Sequence, residues 1–325
     1  MESVRPFGLQ HIPILYRLQN DSTVLDMEHA LMRARSPLWA ALLGHGSLAE
    51  GPFCTVVLSE PGDVGAVKGF AQARLRPAAE EADLVRLAPS LDAPEAERIW
   101  RSLLAGMAAH LARLGVQRVF VRLSDELEAA HLFLDNGFVL YTREDVFQLR
   151  ELPTQSSVGL LEPADEDCRW GVGRLYAAIT PKAVRTAEGL ANASPSPGFV
   201  VCDASYVWKR GDDILAHVGV GHAGSVCWLR MLIHPDHADR AADVIRDALA
   251  RLPRRTRTVF WSVRAYQVNL RGPLQDAGFR FVTSQSVLVR QNAVLVREAQ
   301  TAPAMAFEKR AEARTPSAAR HDVLT

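Results

Sequence analysis

The feature that most constrains the fold is an internal repeat, because the chain contains two copies of one unit of about 140 residues. Gly137-Phe138 and Gly278-Phe279 each follow a helical stretch, and each leads into a strand-like segment. Upstream of them, Arg118-Val119-Phe120-Val121 matches Thr258-Val259-Phe260-Trp261 at nearly the same spacing. A repeat of this length is a whole domain rather than one unit of a solenoid. The chain is therefore predicted to contain two related domains.

The repeat also places the domain boundaries. The polar, proline-bearing stretch between the copies, from Glu151 to Ser157, is suited to a linker. The residues from Asn292 onward are rich in Ala, Glu and Arg and show no sustained periodicity, which is typical of a mobile segment. We therefore predict an N-terminal domain at 1–152, a C-terminal domain at 153–291 and a flexible tail at 292–325.

Both copies show the same order of predicted elements. In the first copy, apolar residues recur at helical spacing from Ile99 to Leu114, and Gly115 is suited to end that helix. The first copy is predicted to contain strands at 66–74, 84–88 and 116–123, a strand or hairpin at 138–149, and helices at 99–114 and 125–134. The second copy is predicted to contain strands at 214–221, 226–233, 258–263 and 279–289, and helices at 244–252 and 267–276. This order predicts an α/β fold in which each copy has a mixed, largely antiparallel sheet flanked by helices.

Composition excludes several classes of protein. The 37 basic and 37 acidic residues give a formal net charge of zero, which argues against nucleic-acid binding through phosphate neutralisation. The hydrophobic content of 48% is ordinary globular usage, and no apolar run is long enough for a transmembrane helix. The four cysteines lie far apart, so no disulfide framework or zinc ribbon is predicted. We expect a cytoplasmic protein that binds neither nucleic acid nor membrane.

Two segments carry a resemblance to a known family. Leu132-Phe133-Leu134-Asp135-Asn136-Gly137-Phe138 resembles the LYxxxGF motif of the GCN5-related N-acetyltransferases (GNAT), and Leu274-Gln275-Asp276-Ala277-Gly278-Phe279 is a weaker version. With the order of elements, they make the chain similar to a tandem GNAT protein over roughly 10–150 and 158–290. The resemblance implies two GNAT-like domains that bind acetyl-CoA and transfer the acyl group to the amine of a small molecule or peptide.

The resemblance also implies where acetyl-CoA binds. The strand before the phosphate loop would part from its neighbour and hold the pantetheine arm, and the following helix N-terminus would hold the pyrophosphate. The second copy is the favoured acetyl-CoA site because its phosphate loop has small side chains that leave room for a phosphate, namely Ala238, Ala241 and Ala242. The implied binding residues are Leu232, Ile233, Ala238, Asp239, Arg240, Ala241 and Ala242 in the second copy, and Leu87 and Ala88 in the first.

Both copies depart from the family at positions that carry its chemistry. Neither phosphate loop contains a glycine, and each carries three carboxylates, which would also suit a helix N-terminus. Phe133 and Leu274 stand where the family has the tyrosine that protonates the leaving thiolate. Tyr141 and Tyr266 carry the nearest hydroxyl groups in the sequence, and Tyr266 is the catalytic candidate because it follows a predicted strand. A surface tyrosine is the alternative interpretation of this residue.

Histidines in the second copy provide one further candidate. His234 lies where the predicted pantetheine-binding strand ends, so it is the second catalytic candidate. His217 and His222 are five residues apart and would point to opposite faces of a strand, and His237 follows in a loop. No metal site is therefore predicted.

Two functions from different classes remain open at this point. The first is an acyl-CoA-dependent N-acyltransferase acting on a small-molecule or peptide amine. The second is a catalytically inactive, GNAT-derived binding or scaffolding protein, which the glycine-free loops and the missing tyrosines favour. The sequence also leaves open whether the protein forms a homodimer.

Overall fold

The computed structural model describes residues 2–32, 36–46, 52–59, 67–76, 80–152, 157–189 and 202–292. Most of the predicted linker, at 153–156, lies outside these residues, and so does the predicted tail beyond Asn292.

The strands of the described residues form one mixed sheet, in which antiparallel pairings predominate. Their bounds are β1 (Ser3–Pro6), β2 (Thr23–Val24), β3 (Phe53–Ser59), β4 (Val67–Leu75), β5 (Glu81–Ala88), β6 (Arg118–Ser124), β7 (Val139–Leu149), β8 (Glu162–Pro163), β9 (Ala204–Arg210), β10 (Asp213–Ala223), β11 (Val226–Ile233), β12 (Thr258–Arg264) and β13 (Arg280–Gln291).

Helices cover the sheet. They are α1 (Ile12–Leu18), α2 (Met27–Met32), α3 (Pro37–Gly46), α4 (Ala96–Arg113), α5 (Ala130–Asp135), α6 (Cys168–Ile179), α7 (Lys182–Glu188), α8 (Ala241–Ala250) and α9 (Arg271–Asp276). Within the described part of the chain, none of them has both the length and the apolar character that crossing a bilayer requires.

Most elements predicted in the two copies are confirmed. Strand β11 has the predicted bounds, and α4 ends just before Gly115, whose φ of 86° is the left-handed conformation that favours glycine after a helix. The predicted helix at 125–134 begins only at Ala130, because the chain first makes turns in which the Leu127 N–H donates to the Ser124 carbonyl. The predicted helix at 267–276 is a 3₁₀ segment, Ala265–Leu270, followed by α9.

The two copies exchange their last strands. The sheet order is β1-β3-β4-β5-β6-β13-β7-β12-β11-β10-β9-β8, with β2 paired to β5. Strand β13 of the second copy lies antiparallel between β6 and β7 of the first copy, and β7 pairs in turn with β12 of the second. The sequence repeat does not reveal this exchange. The described residues up to Asn292 belong to one compact unit, and the domain boundary at 152/153 stays a prediction.

Each copy packs its long helix on its own core. In α4, side chains from Ile99 to Leu111 at helical spacing enter the core of the first copy, and α8 does the same in the second from Val244 to Leu249. Two shorter helices cross over. Met32 of α2 packs against second-copy residues in a buried cluster, whereas Ala187 of α7 packs against first-copy residues in another. The centre of the molecule is therefore built from both copies.

A buried carboxylate lies at this centre. Glu144 of β7 is 1% exposed and is 2.9 Å from Arg122, 3.5 Å from Arg264 and 3.7 Å from Arg230. Burial alone would raise the pKa of this carboxyl, but the three guanidinium groups outweigh it and lower the pKa to about 2. One residue of the first copy thus joins arginines from β6, β11 and β12.

Further acids pair with the same arginines. Arg122 contacts Asp26 at 3.3 Å, Arg230 contacts Glu28 at 2.8 Å, and Arg264 contacts Glu188 at 2.9 Å. Both Asp26 and Glu28 are 1% exposed. Because an unpaired buried charge is costly, each of these acids ties its own segment to the centre of the sheet.

We predict that Glu144→Gln lowers the free energy of unfolding by about 3–5 kcal/mol at neutral pH, because three buried arginines lose their common carboxylate. Urea unfolding followed by tryptophan fluorescence measures this change. The exposed Glu126→Gln is the matched control and should leave the stability unchanged. A loss no larger than that of the control would contradict the central role of Glu144.

The same residue should make the protein acid-sensitive. The folded pKa of Glu144, about 2, lies below its usual value of 4.5, so its contribution is complete above pH 4.5 and is lost as the pH falls towards 2. The wild type should lose about 3 kcal/mol from this group over that range, whereas Glu144→Gln should not. Unfolding curves for both proteins at several acidic pH values measure the difference, and parallel pH dependences would contradict it.

Candidate functional site

Strands β11 and β12 run side by side and then part. Their parallel pairing extends from Val226 and Thr258 to Leu229 and Trp261. Beyond Leu229, β11 stays paired with β10, whereas β12 stays paired with β7 on its other side. The facing edges of the two strands therefore separate at their carboxyl ends, as the family resemblance implied for this strand.

A cavity lies where the two strands part. Measured together with its open mouth, the space has a volume of about 450 Å³. Its walls combine the separated strands with helices α6 and α7 and with the 3₁₀ segment after β12. The lining residues are Tyr176, Glu188, His217, Arg230, Met231, Leu232, Ser262, Arg264, Tyr266 and Gln267.

Gln267 bridges the two parted strands. Its Nε2 donates a 2.7 Å hydrogen bond to the carbonyl of Met231 on β11, and its Oε1 accepts one of 3.4 Å from the backbone N–H of Arg264 on β12. Gln267 is 7% exposed, so these bonds lie in a sheltered environment. They set the width of the gap and satisfy one backbone group on the open edge of β11.

His217 provides an uncharged polar group in the wall. It is 2% exposed, and its Nε2 lies 2.7 Å from the hydroxyl of Ser205 on the neighbouring strand. Burial lowers the pKa of His217 to about 4, because the charged imidazolium would lose its hydration. The imidazole is therefore neutral at physiological pH and adds no positive charge to the cavity.

Tyrosine hydroxyls and an acid form a second polar group. Glu188 accepts hydrogen bonds from Tyr141 at 3.1 Å, Tyr176 at 2.5 Å and Arg264 at 2.9 Å. Burial, followed by the charge of Glu188, raises the pKa of Tyr141 and of Tyr176 above the usual value for tyrosine. Tyr141 comes from β7 of the first copy, so the first copy contributes to the surroundings of this cavity.

The corresponding gap in the first copy is filled by the chain itself. Strands β5 and β6 pair in parallel only from Glu81 to Asp83. Beyond that point β4 covers one edge of β5, and β2 pairs with Arg86 and Leu87 on the other edge, which faces β6. The side chain of Arg122 on β6 points to Asp26 and Glu144 in the same region. The protein's own segments thus occupy the place that is open in the second copy.

The structure brings some of the sequence-predicted residues together and separates others. Tyr266 and Leu232 line the cavity. Ile233, which follows Leu232 in the sequence, packs in the apolar core under α8. His234 instead lines a second cavity of about 790 Å³ between α6 and β10, again measured with its open mouth. Its Nδ1 accepts a hydrogen bond from the Asp236 N–H and caps the following 3₁₀ segment.

The predicted phosphate-binding residues lie in and after that 3₁₀ segment, Pro235–Arg240. Ala238 and Arg240 are half-buried and Asp239 is exposed, while α8 begins with a buried Ala241 and an exposed Ala242. One further acid of this loop, Asp243, bonds to Arg240 and also to Arg246, so part of its charge is neutralised.

The first-copy candidates have a different setting. Leu87 and Ala88 are fully buried, and Leu87 pairs with Thr23 of β2. The backbone edge that would have held an acyl-CoA arm is therefore hydrogen-bonded within the protein. All of the site assignments made from sequence stay predictions.

Sequence reasoning missed most of the cavity. Tyr176 and Glu188 lie in helices α6 and α7, which were not predicted from the sequence. Arg230 and Arg264 were not distinguished from the many other arginines. One available signal was that Arg230 and Arg264 are each the single charged residue of a largely apolar strand, because a charge that such a strand buries needs a partner.

We predict that His217 titrates well below free histidine. Its imidazole nitrogens, observed by ¹⁵N NMR and assigned by the loss of their signals in His217→Gln, should titrate with a midpoint near pH 4. Because the folded pKa is the lower one, stability should fall as the pH drops below about 6.5, the usual pKa of histidine. A midpoint above pH 6 would show that the cavity wall is hydrated around this residue.

Comparison with solved structures identifies the fold. A GCN5-related N-acetyltransferase from Sphaerobacter thermophilus superimposes with a TM-score of 0.53 at 13% identity, over 89% of this chain and 95% of the other. A tandem GNAT protein from the clavulanic acid biosynthesis pathway, in a structure without AcCoA, gives a TM-score of 0.50 at 12% identity, over 90% and 98%. No family model matches the sequence, and a search of curated proteins found no significant match. The predicted fold class is therefore confirmed, and the chain has the GNAT fold, shared with a tandem GNAT protein.

Proposed function

We propose that the chain is an acyl-CoA-dependent N-acyltransferase whose active site is the cavity between β11 and β12. The observation that supports this proposal is the parting of these parallel strands beyond Leu229 and Trp261, with Tyr266 at the edge of the opening. The fold seen in N-acetyltransferases supports the class of reaction. The acceptor is the amine of a small molecule or a peptide.

The residues at the opening fit acetyl-CoA in two respects. Among the strands that the structure describes, none pairs with the edge of β11 from Met231 to Ile233 on the side of β12, so the backbone groups there, apart from the Met231 carbonyl that Gln267 holds, are available. The N-terminus of α8 offers the small residues Ala241 and Ala242 and the positive end of a helix dipole, which suits a phosphate, although the Ala241 N–H already donates to the Ala238 carbonyl. Acetyl-CoA would supply the acetyl group as a thioester: a neutral amine would form the new C–N bond at the carbonyl carbon as the C–S bond breaks, and the proton lost from the nitrogen would balance the one that converts the thiolate to a thiol.

The side chains of the cavity would donate a proton to the thiolate and add no further charge beside the amine. Burial raises the pKa of Tyr266, so its phenol keeps its proton at neutral pH and holds it where a leaving thiolate would need one. His217 stays uncharged and so does not repel the amine. Gln267 fixes the distance between the two strands, and the amine and the thioester would react within that gap.

The proposal is confined to the second copy. In the first copy, β2 and Arg122 occupy the gap between β5 and β6, and both are held by buried pairings. Leu87 and Ala88, which the sequence predicted as binding residues, lie at that filled gap and are therefore not proposed to bind acetyl-CoA. The first copy would then serve the second by supplying Glu28, Tyr141 and Glu144 around its cavity.

A second candidate function is a binding protein without catalysis. Two observations favour it: the filled gap of the first copy, and the hydrogen bond by which Gln267 already takes the Met231 carbonyl on the open strand. Asp236 and Asp239, both exposed beside the N-terminus of α8, would also repel a pyrophosphate. Such a protein would keep the cavity and bind a small molecule in it without turnover.

The proposed function is tested by titration calorimetry with acetyl-CoA, followed by a thiol-release assay against a panel of small and peptidyl amines. We expect binding in the micromolar to millimolar range and thiol release with at least one amine. Tyr266→Phe should lower kcat by about a hundredfold, because it removes the proton donor, and should leave acetyl-CoA binding unchanged.

The matched control is Tyr16→Phe, since Tyr16 is 63% exposed and far from the cavity in sequence and fold. Absence of heat at millimolar acetyl-CoA would exclude the transferase proposal. Binding of acetyl-CoA without release of thiol in the whole panel would favour the binding-protein alternative. Turnover that is equal in wild type and Tyr266→Phe would keep the enzyme and remove this residue from its mechanism.

A further inference from the structure

The wall of the second-copy cavity contains a buried donor that the protein leaves unused. Arg264 lines the cavity, and its side chain is 10% exposed. Its Nη2 donates to Glu188 at 2.9 Å, and its Nε lies 3.5 Å from Glu144. Its Nη1 is buried and has no hydrogen-bond acceptor among the residues that the structure describes. An unsatisfied buried N–H group costs free energy, so this donor is suited to a ligand.

Among the residues that line the cavity, cationic groups outnumber acidic ones. Arg230 and Arg264 present two guanidinium groups from adjacent strands, whereas Glu188 is the one acid among the lining residues named for this cavity. The Glu188 carboxylate already accepts from three donors, two tyrosines and Arg264. Its remaining capacity to hold a cation is therefore small. The neutral His217 does not alter this balance.

The surrounding acids restrict the charge of an anionic ligand. Glu28 and Glu144 are fully buried and pair with the same two arginines, so the guanidinium charges are already largely compensated. A group with two negative charges, such as a phosphate, would meet strong repulsion from these carboxylates. A carboxylate carries a single charge, and its oxygens match the planar N–H geometry of a guanidinium.

We infer that the ligand of this cavity carries a carboxylate, which accepts hydrogen bonds from Nη1 of Arg264. This inference rests on the proposed function and deepens it: the acceptor is a small amino acid or another amine that bears a carboxylate. Leu232 offers an apolar side chain to the carbon chain between the two groups, and the amine lies near Tyr266, two residues after Arg264.

The test compares matched pairs of ligands on the wild-type protein without acetyl-CoA. Glycine, β-alanine, L-alanine and γ-aminobutyrate are each measured against their own carboxamide, by calorimetry and by saturation-transfer NMR. Each amide keeps the size and the amino group of its acid, and it replaces the charged carboxylate by a neutral group in which one acceptor oxygen becomes an NH₂ donor. At least one acid should bind about tenfold more tightly than its amide, as expected for a hydrogen bond to a charged group.

Variants locate the recognition. The preference for the acid should vanish in Arg264→Gln and be reduced in Arg264→Lys, because lysine keeps the charge and loses the planar pair of donors. Arg254→Gln, in an exposed loop, is the matched control and should keep the full preference. Circular dichroism establishes that each variant is folded, and the comparison of acid with amide on the wild type stands without any variant.

Each result has a defined meaning. If every acid binds no better than its amide, including the case in which none binds, the inference is overturned. It is overturned equally if the preference survives in Arg264→Gln. A clear preference combined with no acetyl-CoA binding would remove the proposed transferase and keep the carboxylate site. Acetyl transfer at equal kcat/KM to acids and amides would keep the transferase and remove the carboxylate site.

Discussion

The carboxylate of Glu144 is the group on which the centre of this protein depends. It is almost fully buried, and three guanidinium groups from three strands share it. The cost of taking these charges out of water is large, and good geometry offsets it only if every partner is present. Glu144 comes from the first copy and two of the arginines come from the second, so the full set of pairings forms only when the two copies are together. The strand exchange places Glu144 beside these arginines.

The exchange also explains why two similar copies hold different sites. In each copy two parallel strands pair briefly and then part, which leaves a gap of the same origin. The short strand β2 and Arg122 fill the first gap, while the second keeps an open cavity under α6 and α7. Duplication thus yields one filled and one open site, and the filled copy supplies buried acids and a tyrosine to the wall region of the other.

Much of the fold could be predicted from the sequence because its signals are local. The spacing of apolar residues in α4 and β11, and the glycine that follows α4, depend on neighbours within one or two turns. The two Gly-Phe segments predicted the same unit twice, and that fold class is confirmed. The residues of the candidate site were harder to predict from the sequence than the fold. Tyr266 and Leu232 were chosen and do line the cavity, whereas His234, adjacent in sequence to the same strand, faces another cavity across α6.

The sequence by itself determined the repeated order of strands and helices, because that order follows from local periodicity and turn residues. Only the tertiary structure decided that β7 and β13 lie side by side at the centre and that His217, Glu188, Arg230 and Arg264 share one cavity. These residues come from separate elements of the second copy, and Tyr141 and Glu144 reach the same region from the first. In a strand exchange, the last strand of one copy pairs with strands of the other copy, although the strands of either copy have the same local propensity to form a sheet. Packing and the pairing of buried charges decide between such partners, and both arise only when the whole chain has folded.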